Sequence, residues 1–223
     1  MGDSGHHAHR PALVGGSEAM QTVAQRLRAV ARRRCPVMIR GESGTGKEMV
    51  ARAIHDASGR PGPLVTVDCT TLRDTLLESQ LFGHVRGAFT GAERETLGFI
   101  RAAHAGTLFL DEVGELAPAL QAKLLRFLQE ATITPLGSVH PVRVDARVLC
   151  ATHRDLKSMV DAGSFRLDLY YRLNIVHIDV PPLRERMEDL PELARHLLAR
   201  IARDYGEPVR RLTPDAEAAL LRH

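Results

Sequence analysis

A lysine behind a cluster of glycines, Gly41-Glu42-Ser43-Gly44-Thr45-Gly46-Lys47, stands between the short apolar run Val37-Met38-Ile39 and an amphipathic stretch from Lys47 to Ala57. The spacing G-x-x-x-x-G-K, set between a strand and a helix, is suited to holding a nucleoside triphosphate by its phosphates. Glycines let successive backbone N–H groups turn inward on phosphate oxygens, the helix N-terminus adds partial positive charge, and the lysine reaches the β and γ phosphates. The competing reading is an ordinary glycine turn with a surface lysine, and the flanking strand and helix weigh against it. Lysine is also scarce here, since only Lys47, Lys123 and Lys157 stand among 30 basic residues.

The pattern around that loop repeats along the chain. From Glu18 to Arg34, the residues Met20, Val23, Leu27 and Val30 recur at spacings of three and four, which predicts a helix that Pro36 stops. Apolar runs at Leu64 to Val67, Thr107 to Leu110, Arg147 to Ala151 and Ile175 to Val180 alternate with helical patterns at Leu72 to Phe82, 118 to 131 and 155 to 161. Short buried strands separated by helices predict an α/β fold with a parallel five-stranded sheet between helices. Past Pro181-Pro182 only helical spacing remains, with Leu190, Leu193, Leu197 and Ile201 on one face and a second helix from near Pro214. The expected organisation is a flexible tail at 1–12, an α/β core at 13–182, and a partial helical lid at 183–223 that His223 cuts short.

Composition removes several alternatives. Apolar residues make up 44% and charged residues 26%, as in ordinary globular domains, and no stretch is long enough to span a membrane. Three cysteines at wide spacing, Cys35, Cys69 and Cys150, signal neither a disulfide framework nor a zinc site, so a reducing cytoplasm is the expected compartment. The start lacks the apolar segment of a secretory signal, and His6, His7 and His9 read as part of a solvated tail rather than a metal site. A net charge of +3 is spread along the chain, and no direct DNA-binding element is evident.

The acidic pair Asp111-Glu112 follows the apolar run at 107–110. Position 48 is Glu, where the general phosphate loop carries a Ser or Thr that binds Mg²⁺, so the metal needs another ligand. Asp111 is the candidate, directly or through water, and Glu112 can take a proton from an attacking water. The pair can also simply cap the next helix; the phosphate loop upstream favours hydrolysis, with ATP and Mg²⁺ as the expected ligands.

The motifs GESGTGKE at 41–48, ESQLFGHVRGAFTGA at 78–92, GTLFLDEVGEL at 106–116, FRLDLYYRLN at 165–174 and PPLRERMEDLP at 181–191 carry a resemblance. From about Leu13 onward the chain resembles the central AAA+ P-loop NTPase domain of sigma-54-dependent transcription activators, also called bacterial enhancer-binding proteins. The GKE ending is normal in that family. The resemblance implies a ring, expected to be hexameric, that hydrolyses ATP and remodels sigma-54 RNA polymerase. It also implies that the segment Gly87-Ala88-Phe89-Thr90-Gly91-Ala92 rises with nucleotide state and touches sigma-54 through Phe89 and Thr90. A glycine-flanked tip changes shape cheaply while presenting an aromatic contact, although the same residues can form a buried turn with Phe89 in the core.

Other roles follow from the same resemblance. Arg166 and Arg172 match arginines that reach a neighbour's ATP, where such a finger is worth roughly 10³ to 10⁵ in rate; local pairing with Asp168 is the plainer alternative. Thr152 falls at the sensor I position near the γ-phosphate, and His153 departs from the asparagine that commonly follows. Asp68 stands where many members carry an asparagine that restrains the catalytic glutamate. Ionised Asp68 has no hydrogen to donate, so it either shares a proton with Glu112 or caps the next element. The family's lid continues to a GNVREL stretch that this sequence does not reach, which leaves a non-hydrolysing ATP-binding assembly module as the second reading.

Overall fold

The structure is a computed structural model and describes residues 13–70 and 74–222. The tail expected at 1–12, the helix start expected at Leu72, and His223 lie outside those residues. The elements run α1 (Glu18–Val30), β1 (Val37–Arg40), α2 (Lys47–Ser58), β2 (Leu64–Asp68), α3 (Asp74–Phe82), α4 (Phe99–Ala102) and β3 (Thr107–Asp111). They continue with α5 (Pro118–Glu130), β4 (Thr132–Ile133), β5 (Val142–Arg143), β6 (Arg147–Thr152), α6 (Leu156–Asp161), α7 (Leu167–Leu173), β7 (His177–Asp179), α8 (Leu190–Tyr205) and α9 (Pro214–Arg222).

Five of these strands form one parallel sheet in the order β2-β3-β6-β1-β7. This is the α/β arrangement expected from the alternation of apolar runs and helices. Side-chain alternation divides each central strand between two cores. Val37 and Ile39 join Phe109, Leu149 and Ile178 beneath α1 and α2, while Met38 joins Leu108, Leu110 and Cys150 on the other face, beneath α3, α5 and α7. Each of these nine side chains is fully buried, and truncating one such as Ile39 to Ala costs about 2–5 kcal/mol. Among the described residues no helix is long and apolar enough to cross a membrane.

The boundaries differ from expectation where distant side chains intervene. Helix α1 ends at Val30 rather than Arg34, because the buried Arg147 guanidinium at the start of β6 donates to the carbonyls of Val30 and Ala31. Those carbonyls sit at the helix end and are satisfied without another turn. The last strand of the sheet is His177–Asp179, shorter than the apolar run from 175 to 180. The antiparallel ribbon β4–β5, pairing Thr132 with Arg143, has too few residues to show a periodicity.

Two features frame the site. Between α3 and α4 the chain leaves the core at Gly83 and returns at Gly98, its stem closed by paired hydrogen bonds between His84 and Thr96. A Cβ on Gly83 would lie 2.5 Å from the Thr96 carbonyl oxygen, and one on Gly98 would lie 2.4 Å from the Gly83 nitrogen, so only glycine permits the crossing. On the opposite side, buried Asp189 at the root of α8 accepts from the Ser17 backbone N–H at 2.8 Å and from its hydroxyl at 2.6 Å, tying the C-terminal helices to the start of α1.

Candidate functional site

Strand β1 delivers the chain directly into the glycine loop. Gly44 and Gly46 adopt φ of 78° and 99°, and a Cβ on either would meet nothing within 4 Å, so backbone conformation rather than crowding demands glycine, and the space before the loop is open. Helix α2 begins at Lys47 with no side-chain cap, which leaves its first N–H groups to a ligand. Lys47 is 6% exposed. Its Nζ lies 3.0 Å from Gly41 O, 3.2 Å from Glu42 O and 3.1 Å from Glu112 Oε1, so all of its donors are used inside the chain.

Glu112 reaches Lys47 from the end of β3. It adopts φ 53° and ψ 51°, a left-handed conformation that costs a non-glycine residue about 1–3 kcal/mol. Its second oxygen, Oε2, accepts from the His153 backbone N–H at 3.1 Å and meets His153 Nδ1 at 2.7 Å. Burial raises the Glu112 pKa, but His153 and Lys47 together outweigh it and hold the carboxyl below its ordinary range. Asp111 moves the other way: burial and the neighbouring Glu112 charge push it up, with Lys47 and the Glu112 N–H only partly compensating.

The remaining residues singled out in the sequence fall into several places. Asp68 is level with Asp111 across the β2–β3 pair, and its Oδ1 accepts from the Thr70 backbone N–H at 2.8 Å. Thr152 is buried, its hydroxyl accepting from Arg154 N–H at 3.0 Å, so His153 rather than Thr152 is the residue that meets Glu112. Glu48 is exposed and pairs with Arg52 at 3.3 Å. Ser43 is exposed on the loop, and the Thr45 hydroxyl donates to Glu42 O at 2.9 Å. Arg166 stands at the N-cap of α7 and Arg172 lies in its last turn, and each has a partner other than the phosphate loop. Arg166 pairs with Asp168 at 2.7 Å, and Arg172 donates to Leu128 O at 2.9 Å.

The segment 87–92 lies at the far end of the glycine stem. Gly87 N–H donates to Ala92 O at 2.8 Å, closing a compact tip, while Ala88 is half-buried and Thr90 and Gly91 are exposed. Phe89 is 45% exposed, with its ring edge-on to His84 at a centroid distance of 5.0 Å; it is not a core side chain.

Arg184 and Arg186, within the motif at 181–191, have a place at the site that their local sequence does not specify. Arg184 donates to the Glu42 carboxylate at 2.7 Å, which holds Glu42 below its ordinary pKa, and buried Arg186 donates to Thr45 O at 3.0 Å. Two arginines directly after a Pro-Pro boundary were the available signal, since they leave the core only to return to its phosphate loop. Beside them a cavity of about 260 Å³ opens between that loop and α8, with Leu13, Val14, Met20, Val180 and Leu197 as apolar walls.

A parallel sheet with its glycine loop, buried lysine and acidic pair all at the C-terminal ends of the strands defines a P-loop NTPase fold. A sequence model of the Sigma-54 interaction domain matches residues 13–179, and one of the AAA+ ATPase lid domain matches residues 184–223. The chain belongs to the Sigma-54 interaction domain family. It is 50% identical over 209 residues to the response regulator protein PilR of Pseudomonas aeruginosa, covering 93% of this chain and 47% of that protein. Likewise it is 50% identical over 212 residues to the transcriptional regulatory protein ZraR of Escherichia coli K12, covering 95% and 48%. The chain thus spans about half the length of these curated relatives. A crystal structure of NtrX from Brucella abortus in complex with ADP superposes with a TM-score of 0.88 at 38% identity, covering 97% of this chain and 47% of that one.

Proposed function

We propose that this chain is the ATP-hydrolysing domain of a sigma-54-dependent transcription activator, and that it works on sigma-54 RNA polymerase through the segment 87–92. The observation that carries this reading is the contact between buried Lys47 and Glu112, which brings a phosphate-binding cation and a candidate general base to one point. Lys47 and the amides of residues 41–48 hold the phosphates, and the apolar cavity beside α8 receives the base. Glu112 takes a proton from water as the water oxygen bonds to the γ-phosphorus and the β–γ bridging oxygen leaves with ADP. NtrX, which is similar in sequence and fold, has been solved with ADP, which supports nucleotide binding here.

The donor set fits Mg²⁺. Asp111 offers one carboxylate, and its titration already feels the charge of Lys47 from the phosphate loop. Mg²⁺ is bound in this way, through one or two carboxylates plus substrate phosphates, and when bound it neutralises charge that builds on the phosphate oxygens. The raised pKa of Asp111 agrees with a carboxylate placed to meet a cation. Arg166 and Arg172 act on a neighbouring subunit's nucleotide in a hexameric ring, exchanging their partners Asp168 and Leu128 O for phosphate oxygens.

Phosphate release measured against protein concentration tests the proposal. Specific activity should rise as the ring assembles, and Glu112→Gln should lower turnover by about 10² to 10⁴. Activity independent of concentration, or retained by Glu112→Gln, would contradict it.

A further inference from the structure

Each carboxylate oxygen of Glu112 has its own partner. Lys47 takes Oε1, while Oε2 is engaged twice by a single residue, through the His153 backbone N–H at 3.1 Å and ring Nδ1 at 2.7 Å. A carboxylate accepts only, so Nδ1 must carry the hydrogen in that contact. From these contacts we infer that His153 is the positioning residue for Glu112, anchoring Oε2 through Nδ1–H and the backbone N–H and leaving Oε1 to exchange Lys47 for water. The inference deepens the proposed function and rests on Glu112 as the group that takes the proton.

Geometry separates His153 from its neighbours for this task. Thr152 is turned into the fold, its hydroxyl on Arg154 N–H, and ionised Asp68 has no hydrogen with which to hold a carboxylate. Glu112 sits in a strained left-handed conformation that its own backbone does not favour, so a fixed partner on Oε2 keeps the side chain from swinging away when Lys47 turns to a phosphate. All donors of Lys47 are occupied by Gly41 O, Glu42 O and Glu112. An arriving triphosphate therefore draws Lys47 off Glu112, and Oε1 becomes free at the moment the substrate is in place. His153 keeps its hold throughout, since neither of its contacts involves the phosphate loop.

Side-chain isosteres give a sharp test. Asparagine places Nδ2 at the same branch from Cγ as imidazole Nδ1, whereas glutamine carries its nitrogen one atom further out. A hydrogen bond to a charged group is worth enough that losing it lowers kcat roughly ten- to a hundredfold. Both His153→Ala and His153→Gln should show this loss with the KM for ATP shifted less than about threefold, and His153→Asn should recover most of it. Independently of turnover, ¹⁵N spectra of the nucleotide-free chain should report the Nδ1–H form of His153, and Glu112→Ala should abolish it. An Nε2–H form in the parent chain, or an asparagine variant no better than alanine, would overturn the inference. Turnover retained by Glu112→Gln while the Nδ1–H signature persists would place the failure in the proposed function instead.

Discussion

Asp111 and Glu112 are adjacent carboxylates in one partly buried site, yet their surroundings drive them apart: Glu112 is lowered by His153 and Lys47 against its burial, and Asp111 is raised by burial and by Glu112 itself. Such a division suits the roles proposed for them, Glu112 as the group that accepts a proton and Asp111 as a carboxylate that gains from a nearby cation. It also has a consequence for stability. Between the ordinary carboxylate range and its raised folded value, Asp111 binds more proton in the folded than in the unfolded chain, so its contribution to ligand-free stability falls as pH rises through that window. Asp111→Asn keeps an acceptor for the Glu112 N–H and removes this effect. The variant should melt about 2 °C above the parent at pH 7 without ligand, with the gap closing toward pH 4, while its Mg-ATP turnover is lost. Melting curves at both pH values check this, and a gap that widens toward acid would contradict the assignment.

Among the elements, the excursion from α3 to α4 sets a glycine-flanked tip on a tightly packed stem. Its stem is fixed by the crossing of Gly83 and Gly98, both at φ 79°, whereas a Cβ added at Gly87 or Gly91 would meet nothing within 4 Å. Gly98→Ala should therefore lower Tm by about 4–10 °C in a thermal melt, through strain and backbone clash; an unchanged Tm would mean that the stem is free to open. The five strands of the parallel sheet and the longer helices are legible in the sequence, because Val37, Met38 and Ile39, or Met20, Val23, Leu27 and Val30, carry their apolar pattern locally. The end of α1 is not, because it depends on Arg147, 117 residues away from Val30. The glycine loop and acidic pair were equally plain from spacing. Local pattern singles out His153, Arg184 and Arg186, but which oxygen each side chain reaches is set by contacts across the fold.

At the scale of the whole molecule, the site and the tip share one strand. The excursion returns through α4 to the start of β3, and β3 ends at Asp111 beside Glu112, so roughly 13 Å of strand backbone separates the two ends. That strand is hydrogen-bonded on both sides, to β2 and to β6, and its side chains from Thr107 to Leu110 are fully buried. On the proposed function this strand is the stiff connector between the phosphate site and the excursion, and the C-terminal helices are pinned to the start of α1 through Asp189 and Ser17. Under the proposed function, nucleotide state sets the presentation of Phe89 and Thr90 to sigma-54. Capture of sigma-54 by the chain should be compared with ADP alone and with ADP plus aluminium fluoride, a mimic of the transferring phosphoryl group. Retention is expected only with the mimic and is lost in Thr90→Ala; equal capture in both nucleotide states, or retention by Thr90→Ala, would show that nucleotide state does not govern this presentation.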